Sequence, residues 1–186
     1  GINYGGGFVV LTGEVGTGKT TLCQCLLKQL PGNIEIALVL NPKLNALELL
    51  ATICDELQIV YDPEKQSLKI LVDSLNHYLL AMHAAGKRTV LVIDEAQNLD
   101  LNVLEQIRLL TNLETSTSKL LQIILIAQPE LQQLLEKPEL RQLNQRITAR
   151  YHLNALSYSD TRKYIKHRLK RCGGKDNIFN SQAIKS

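Results

Sequence analysis

Apolar residues along the chain come in short bursts, and the spacing inside each burst decides which element it predicts. Phe8–Leu11 is a short apolar run, and Ile34–Leu40 reads as a second strand. Thr89–Ile93 is a run of five mostly β-branched residues, which predicts a strand buried on both faces, and Leu120–Ala127 reads as a fourth buried strand ended by Pro129. Between these runs the period changes. Leu68, Leu71, Val72, Leu75, Leu79 and Met82 recur at steps of three and four, so they share one stripe of a helix that Ala84-Ala85-Gly86 closes. Val103, Ile107 and Leu110 mark another helix. A helix is also expected from about Lys19 to Leu30, ended by Pro31-Gly32. A short helical stretch broken at Pro138 precedes a fifth strand at Ile147–Leu153. Ser157-x-x-Asp160 then reads as a capping box opening a terminal helix. Strands that alternate with helices in this way predict an α/β fold, a parallel five-stranded sheet between helices.

The join between the first strand and its helix carries the strongest chemical signal. There, "VVLTGEVGTGKTTL" completes the pattern G-x-x-x-x-G-K-[ST] with Gly13, Gly18, Lys19 and Thr20. Glycines let the backbone turn so tightly that successive N–H groups point inward and cradle the β- and γ-phosphates of a nucleotide. The helix that starts at about Gly18 adds its positive end. Lys19 neutralises phosphate charge and Thr20 offers a hydroxyl to Mg²⁺. The binding stretch is Gly13, Glu14, Val15, Gly16, Thr17, Gly18, Lys19, Thr20 and Thr21.

A second signal is "TVLVIDEAQ". Asp94 follows a buried strand, at the edge where open α/β sheets bind ligands. One carboxylate there can hold Mg²⁺, usually through water. Its neighbour Glu95 can orient and deprotonate an attacking water. Gln128, just after "IILIA", can reach a γ-phosphate or its water with its amide. Arg141, Arg146 and Arg150 follow in "LRQLNQRITARYHL". Phosphoryl transfer gains greatly from a guanidinium, often one supplied by a neighbouring subunit. Arg146 and Arg150 are favoured for that interface role over Arg141, with surface ion pairs as the alternative.

Composition narrows the class. A hydrophobic share of 45% with 21% charged residues fits a globular protein with one good core. Apolar runs such as Ile123–Ala127 fall far short of the roughly 18 residues that suggest a membrane span. A net charge of +3 is too small to imply nucleic acid. The local exception is Arg162–Arg171, where Arg162, Lys163, Lys166, Arg168, Lys170 and Arg171 cluster. It reads as a solvated helix face, or else as a docking surface for acidic lipid, nucleic acid or protein. Cys23, Cys25, Cys54 and Cys172 match no zinc spacing and are expected to be small buried thiols; the four histidines show no ligand pattern. The chain opens at Gly1 rather than Met and stops at Ser186 as a new helical pattern begins, so a piece of a longer protein is expected.

In this order and spacing, "GEVGTGKTTL", "LVIDEAQNL", "IILIAQPEL" and "RQLNQRITARYHL" resemble the AAA+ ATPase domain of the general secretion pathway protein A family, which includes related pilus-biogenesis ATPases. "NPKLNALELLATICDEL" strengthens the likeness, which covers nearly the whole chain. The resemblance implies a P-loop NTPase domain over residues 1–155 and the beginning of a helical lid over 156–186. It implies a Mg²⁺-dependent ATPase at the cytoplasmic face of the bacterial inner membrane, in a membrane-anchored protein that helps place or assemble a secretion machine. Lys19, Thr20, Asp94 and Glu95 become the nucleotide machinery, Gln128 the sensor-1 residue, and Arg146 or Arg150 the arginine finger. Implied partners are further copies of the chain when active, an inner-membrane secretion protein, and peptidoglycan through regions outside this chain. No specific nucleic acid is expected, and this fragment alone should be weakly active. Two departures stand out. The segment before the first strand, which usually helps hold adenine, is nearly absent, and the Gly-x-Pro-Arg type of sensor-2 motif lies outside the chain. The competing readings are an AAA+ ATPase acting on DNA, in transposition or replication initiation, and a P-loop kinase. The kinase is disfavoured because it would not need Glu95 beside Asp94.

Overall fold

A computed structural model describes residues 7–40, 42–171 and 173. The strands are β1 (Phe8–Gly13), β2 (Ile34–Val39), β3 (Arg88–Ile93), β4 (Leu121–Ala127) and β5 (Ile147–Leu153). The helices are α1 (Lys19–Leu27), α2 (Ala46–Glu56), α3 (Leu68–Ala84), α4 (Leu101–Leu110), α5 (Glu130–Leu135), α6 (Arg141–Gln145) and α7 (Tyr158–Arg171). The five strands form one sheet in the order β2-β3-β4-β1-β5, and every pairing is parallel. The chain parts into two compact units between Leu153 and Asn154; the second contains α7, none of whose residues is buried.

Local chemistry sets the helix starts. Asn45 opens α2 with a reciprocal capping box: its side chain accepts from Glu48 N–H at 3.0 Å, and the Glu48 carboxylate accepts from Asn45 N–H at 2.8 Å. Ser67 caps α3 and Asp100 caps α4 through single bonds to the third residue on. At α7, Ser157 Oγ accepts from Asp160 N–H at 3.2 Å, the first bond of the expected capping box, but it is the Ser157 hydroxyl rather than its N–H that donates to the Asp160 carboxylate. One boundary differs from expectation. The first helix ends at Leu27 rather than Leu30; Lys28 N–H still reaches Gln24 O as its cap, and beyond it the chain makes tight turn bonds, Gln29 N–H to Leu26 O and Leu30 N–H to Leu27 O. Pro31 explains this, since the residue before a proline is pushed out of the helical region.

The strand runs alternate between two cores. Leu91 and Ile93 of β3 enter the larger one with Phe8, Val10, Ile123 and Leu125, under α2, α3 and α4. Val90 and Val92 face the other way into a smaller cluster with Cys23 of α1 and Ile126. That is why β3 reads as a continuous apolar run. The small cluster also corrects the reading of the thiols. Cys23 and Cys54 are buried, but Cys25 is exposed, because two residues along a helix turn a side chain to nearly the opposite side. Burial, with a smaller push from the Asp94 charge, raises the Cys23 thiol; burial, with Asp55 adding, pushes Cys54 up to about 11. Cys172 lies outside the described residues. Among the described residues no helix is long and apolar enough to cross a membrane.

Candidate nucleotide site

The sheet order decides what can meet. The loop between β1 and α1 and the turn after β3 leave the same edge of a parallel sheet, and β4 lies between their strands. Whatever follows β4 therefore stands between them, and Gln128 does. This is the carboxyl-end crevice at which open α/β sheets bind ligands.

Two glycines shape the loop for different reasons. A Cβ on Gly13 would stand 2.6 Å from the Leu153 carbonyl oxygen and 2.9 Å from Thr17 Oγ1, so only hydrogen fits where the loop passes β5. Gly13→Ala is expected to cost about 1–3 kcal/mol, because backbone must move to relieve it. A thermal unfolding midpoint equal to wild type would contradict this. Gly18 meets no such crowding; its φ of 84° is the requirement, and it lets α1 begin without any side-chain cap. The first-turn N–H groups of α1 are left open toward the loop, a ready anion site. Thr17 closes the turn from within, its hydroxyl donating to Glu14 O at 2.9 Å. Glu14, Val15, Gly16 and Thr21 are exposed. Lys19 is buried, and Nζ donates to the carbonyls of Gly13 at 2.7 Å and Glu14 at 2.9 Å. The loop thus encloses its one cation.

The turn after β3 meets α1 directly. Thr20 Oγ1 donates to Asp94 Oδ2 at 2.6 Å, and Asp94 Oδ1 accepts from Glu95 N–H at 2.9 Å. Glu95 has φ 54° and ψ 37°, the left-handed region that a residue with a side chain seldom adopts. Its Oε2 accepts from Gln97 Nε2 at 2.5 Å and from Gln128 Nε2 at 3.3 Å. Gln97 Oε1 in turn accepts from Gln128 N–H at 3.0 Å. Lys19, Thr20, Asp94, Glu95 and Gln128 therefore lie along one edge, and Gln97 joins them. Sequence reasoning passed over Gln97; the usable signal was an amide two residues after Glu95, in the turn that leaves the strand.

Donor chemistry fits the expected ion. A buried carboxylate oxygen beside a hydroxyl offers two hard oxygen ligands, which suits Mg²⁺ because that ion keeps several of its waters.

The arginines lie elsewhere. Phe8 N–H bonds to Arg146 O at 3.2 Å, so Arg146 sits at the amino-terminal edge of the sheet, opposite the glycine loop. Its guanidinium donates to Thr111 Oγ1 at the end of α4. Glu105 is near: bonding from Arg108 is the main reason its carboxyl is held below the usual range, and the Arg146 charge adds to that. Arg150 stands on β5 opposite Val10, exposed, and donates to Asn144 Oδ1. Arg141 is exposed at the start of α6. None of the three belongs to the constellation around Lys19 and Glu95.

Comparison with known proteins agrees with this architecture. The family model described as AAA domain matches residues 2–135. General secretion pathway protein A of Aeromonas hydrophila is 58% identical over 186 residues, all of this chain, which spans only 34% of that relative. Among solved structures, Cdc6p from Pyrobaculum aerophilum superposes with a TM-score of 0.76 at 16% identity, over 98% of this chain and 48% of that one. The Aeropyrum pernix ORC2 protein, solved as ADPNP-ADP complexes, gives 0.73 at 18% identity over 95% of this chain and 48% of its own. A mutant form of Thermotoga maritima RuvB gives 0.58 at 17% identity over 96% and 47%. At such identities these three likenesses speak for the fold alone.

Proposed function

Because the chain belongs to the AAA domain family, we propose that it binds ATP with Mg²⁺ and hydrolyses it to ADP and phosphate. The observation that carries the reading is the 2.6 Å contact between Thr20 and Asp94, with Glu95 the next residue. Gly13 to Thr21 wrap the phosphates, with backbone N–H groups and Lys19 matching their charge. Thr20 and Asp94 would hold the ion, which when bound neutralises charge on the β- and γ-phosphates. Glu95 takes a proton from a water whose oxygen bonds to the γ-phosphorus as the bond to the ADP oxygen breaks. Gln128 steadies that water or the γ-phosphate.

Arg146 or Arg150 is proposed as the guanidinium donor, acting from a neighbouring copy. A six-residue strand separates Arg146 from the loop of its own chain, roughly 17–20 Å. Within one chain it cannot serve the γ-phosphate; across an interface it can. The active form is then a homo-oligomer, and hydrolysis drives assembly or placement of a secretion or pilus machine at the inner membrane. The similarity to general secretion pathway protein A supports this setting. A membrane anchor, an inner-membrane partner protein and peptidoglycan contacts would belong to the rest of the protein. The domain itself would lie on the cytoplasmic side, with α7 beginning a helical lid.

Mixing two inactive variants tests the shared site. Glu95→Gln and Arg146→Ala (or Arg150→Ala), combined in equal amounts, pair an intact Glu95 with an intact arginine at roughly one interface in four of a closed ring. Hydrolysis should partly return, and specific activity of the wild type should rise with its concentration. No recovery where the wild type oligomerises and turns over would make those arginines structural.

A further inference from the structure

Gln97 has no chemistry to perform, yet its side chain bridges the peptide N–H that follows β4 to the Glu95 carboxylate. The Gln128 backbone N–H can only donate, so the Gln97 atom 3.0 Å from it must be the amide oxygen. That settles the orientation of the whole amide and leaves its nitrogen facing Glu95 Oε2, 2.5 Å away. The base of Gln97 is held as well. It lies in a 3-10 turn over Ala96–Asn98, whose neighbours Ala96 and Leu99 are buried in the larger core. Asn98 N–H bonds back to Glu95 O at 2.9 Å. Glu95 is therefore gripped at both ends, its N–H by Asp94 and its carboxylate by Gln97. The bond from Gln128 Nε2 is longer, 3.3 Å, and comes from a side chain proposed to turn toward phosphate.

We propose that Gln97 is a positioning residue: it aims the Glu95 carboxylate and couples it to the peptide of Gln128, so that Glu95 follows what Gln128 senses. This rests on the reading of Glu95 as the base that accepts the proton of water. A carboxylate holding a water needs one defined rotamer, and a backbone in the left-handed region does not supply it.

Two substitutions separate positioning from mere support of the turn. Gln97→Ala removes both bonds. Gln97→Glu keeps the acceptor for Gln128 N–H but sets a carboxylate against Glu95. Both should lower kcat at least tenfold with KM for ATP within about twofold of wild type, and the Gln97→Glu chain should be no faster than Gln97→Ala. Wild-type kcat in Gln97→Glu would assign Gln97 to the turn alone and overturn the proposal. An activity-independent measurement follows the Gln97 side-chain amide by NMR. Its protons should exchange slowly and its resonance should move in Glu95→Ala but not in Lys19→Ala. A resonance indifferent to Glu95→Ala overturns the proposal even if a variant folds poorly. Absence of Glu95-dependent hydrolysis in the wild type would instead remove the reading of the reaction, while the amide resonance still reports whether Glu95 is held.

Discussion

Lys19→Ala is expected to abolish nucleotide binding while the sheet stays folded. Lys19 is the one cation between Gly13 and Thr21, and it is buried at the loop's centre against the carbonyls of Gly13 and Glu14. Phosphate arriving there would exchange those neutral acceptors for charged ones and add the attraction between opposite charges to the bonds Lys19 makes. Without Lys19, backbone N–H groups alone face the phosphates. Affinity for Mg-ATP should fall at least a hundredfold, about 2.7 kcal/mol. Glu14 is exposed and its carbonyl can turn to water, while the buried Gly13 carbonyl loses its partner at a cost of about 1–3 kcal/mol, which leaves the sheet folded. Calorimetric titration with Mg-ATP, alongside circular dichroism, checks both halves. Full-strength binding by a folded Lys19→Ala chain would remove the loop from the reaction.

Glu95→Gln should act on rate and spare binding. The amide keeps the shape of the carboxylate and cannot take a proton, while Thr20, Asp94 and Lys19 are untouched. Hydrolysis should slow at least tenfold, about 1.4 kcal/mol in the barrier, with Mg-ATP affinity retained. The substitution also replaces an acceptor facing two amide donors, Gln97 and Gln128, by an amide that can still accept through its oxygen. Local geometry should therefore hold, and a changed rate reports chemistry. Single-turnover phosphate release separates the two. Unchanged turnover would show that Glu95 is not the base.

What could be read from the chain divides by range. The glycine loop was legible because its chemistry is local, nine consecutive residues from Gly13 to Thr21 whose types have meaning only together. The strands were legible because β3 is buried on both faces and loses its alternation, while β4 keeps an apolar run broken only at Gln122. The pairing of Glu95 with Gln128 was not, since it depends on β4 lying between β1 and β3, a choice of topology that leaves no local mark. Gln97 stands only two residues from Glu95, but its second partner, the Gln128 N–H that makes it a bridge, is 31 residues away and could not be read locally. The capping box of Asn45 and Glu48 was present in the sequence and went unread. Arg146 ends α6 just before β5 and Arg150 lies inside it, but only the parallel pairing of β5 with β1 shows that Arg146 stands at the edge opposite the glycine loop. Cys25 shows a limit of residue type as a guide. Its neighbour Cys23 fills the narrow contact between α1 and the sheet, and two residues on the helix already faces outward.

The most direct test is steady-state phosphate release from ATP by the wild-type chain, with Mg²⁺ and with a chelator in excess, over a series of protein concentrations. Release that requires Mg²⁺, disappears in Lys19→Ala, and rises per chain as concentration rises is the expected result. A folded wild-type chain that neither binds Mg-ATP nor releases phosphate at any concentration at which it oligomerises would contradict the proposed reaction.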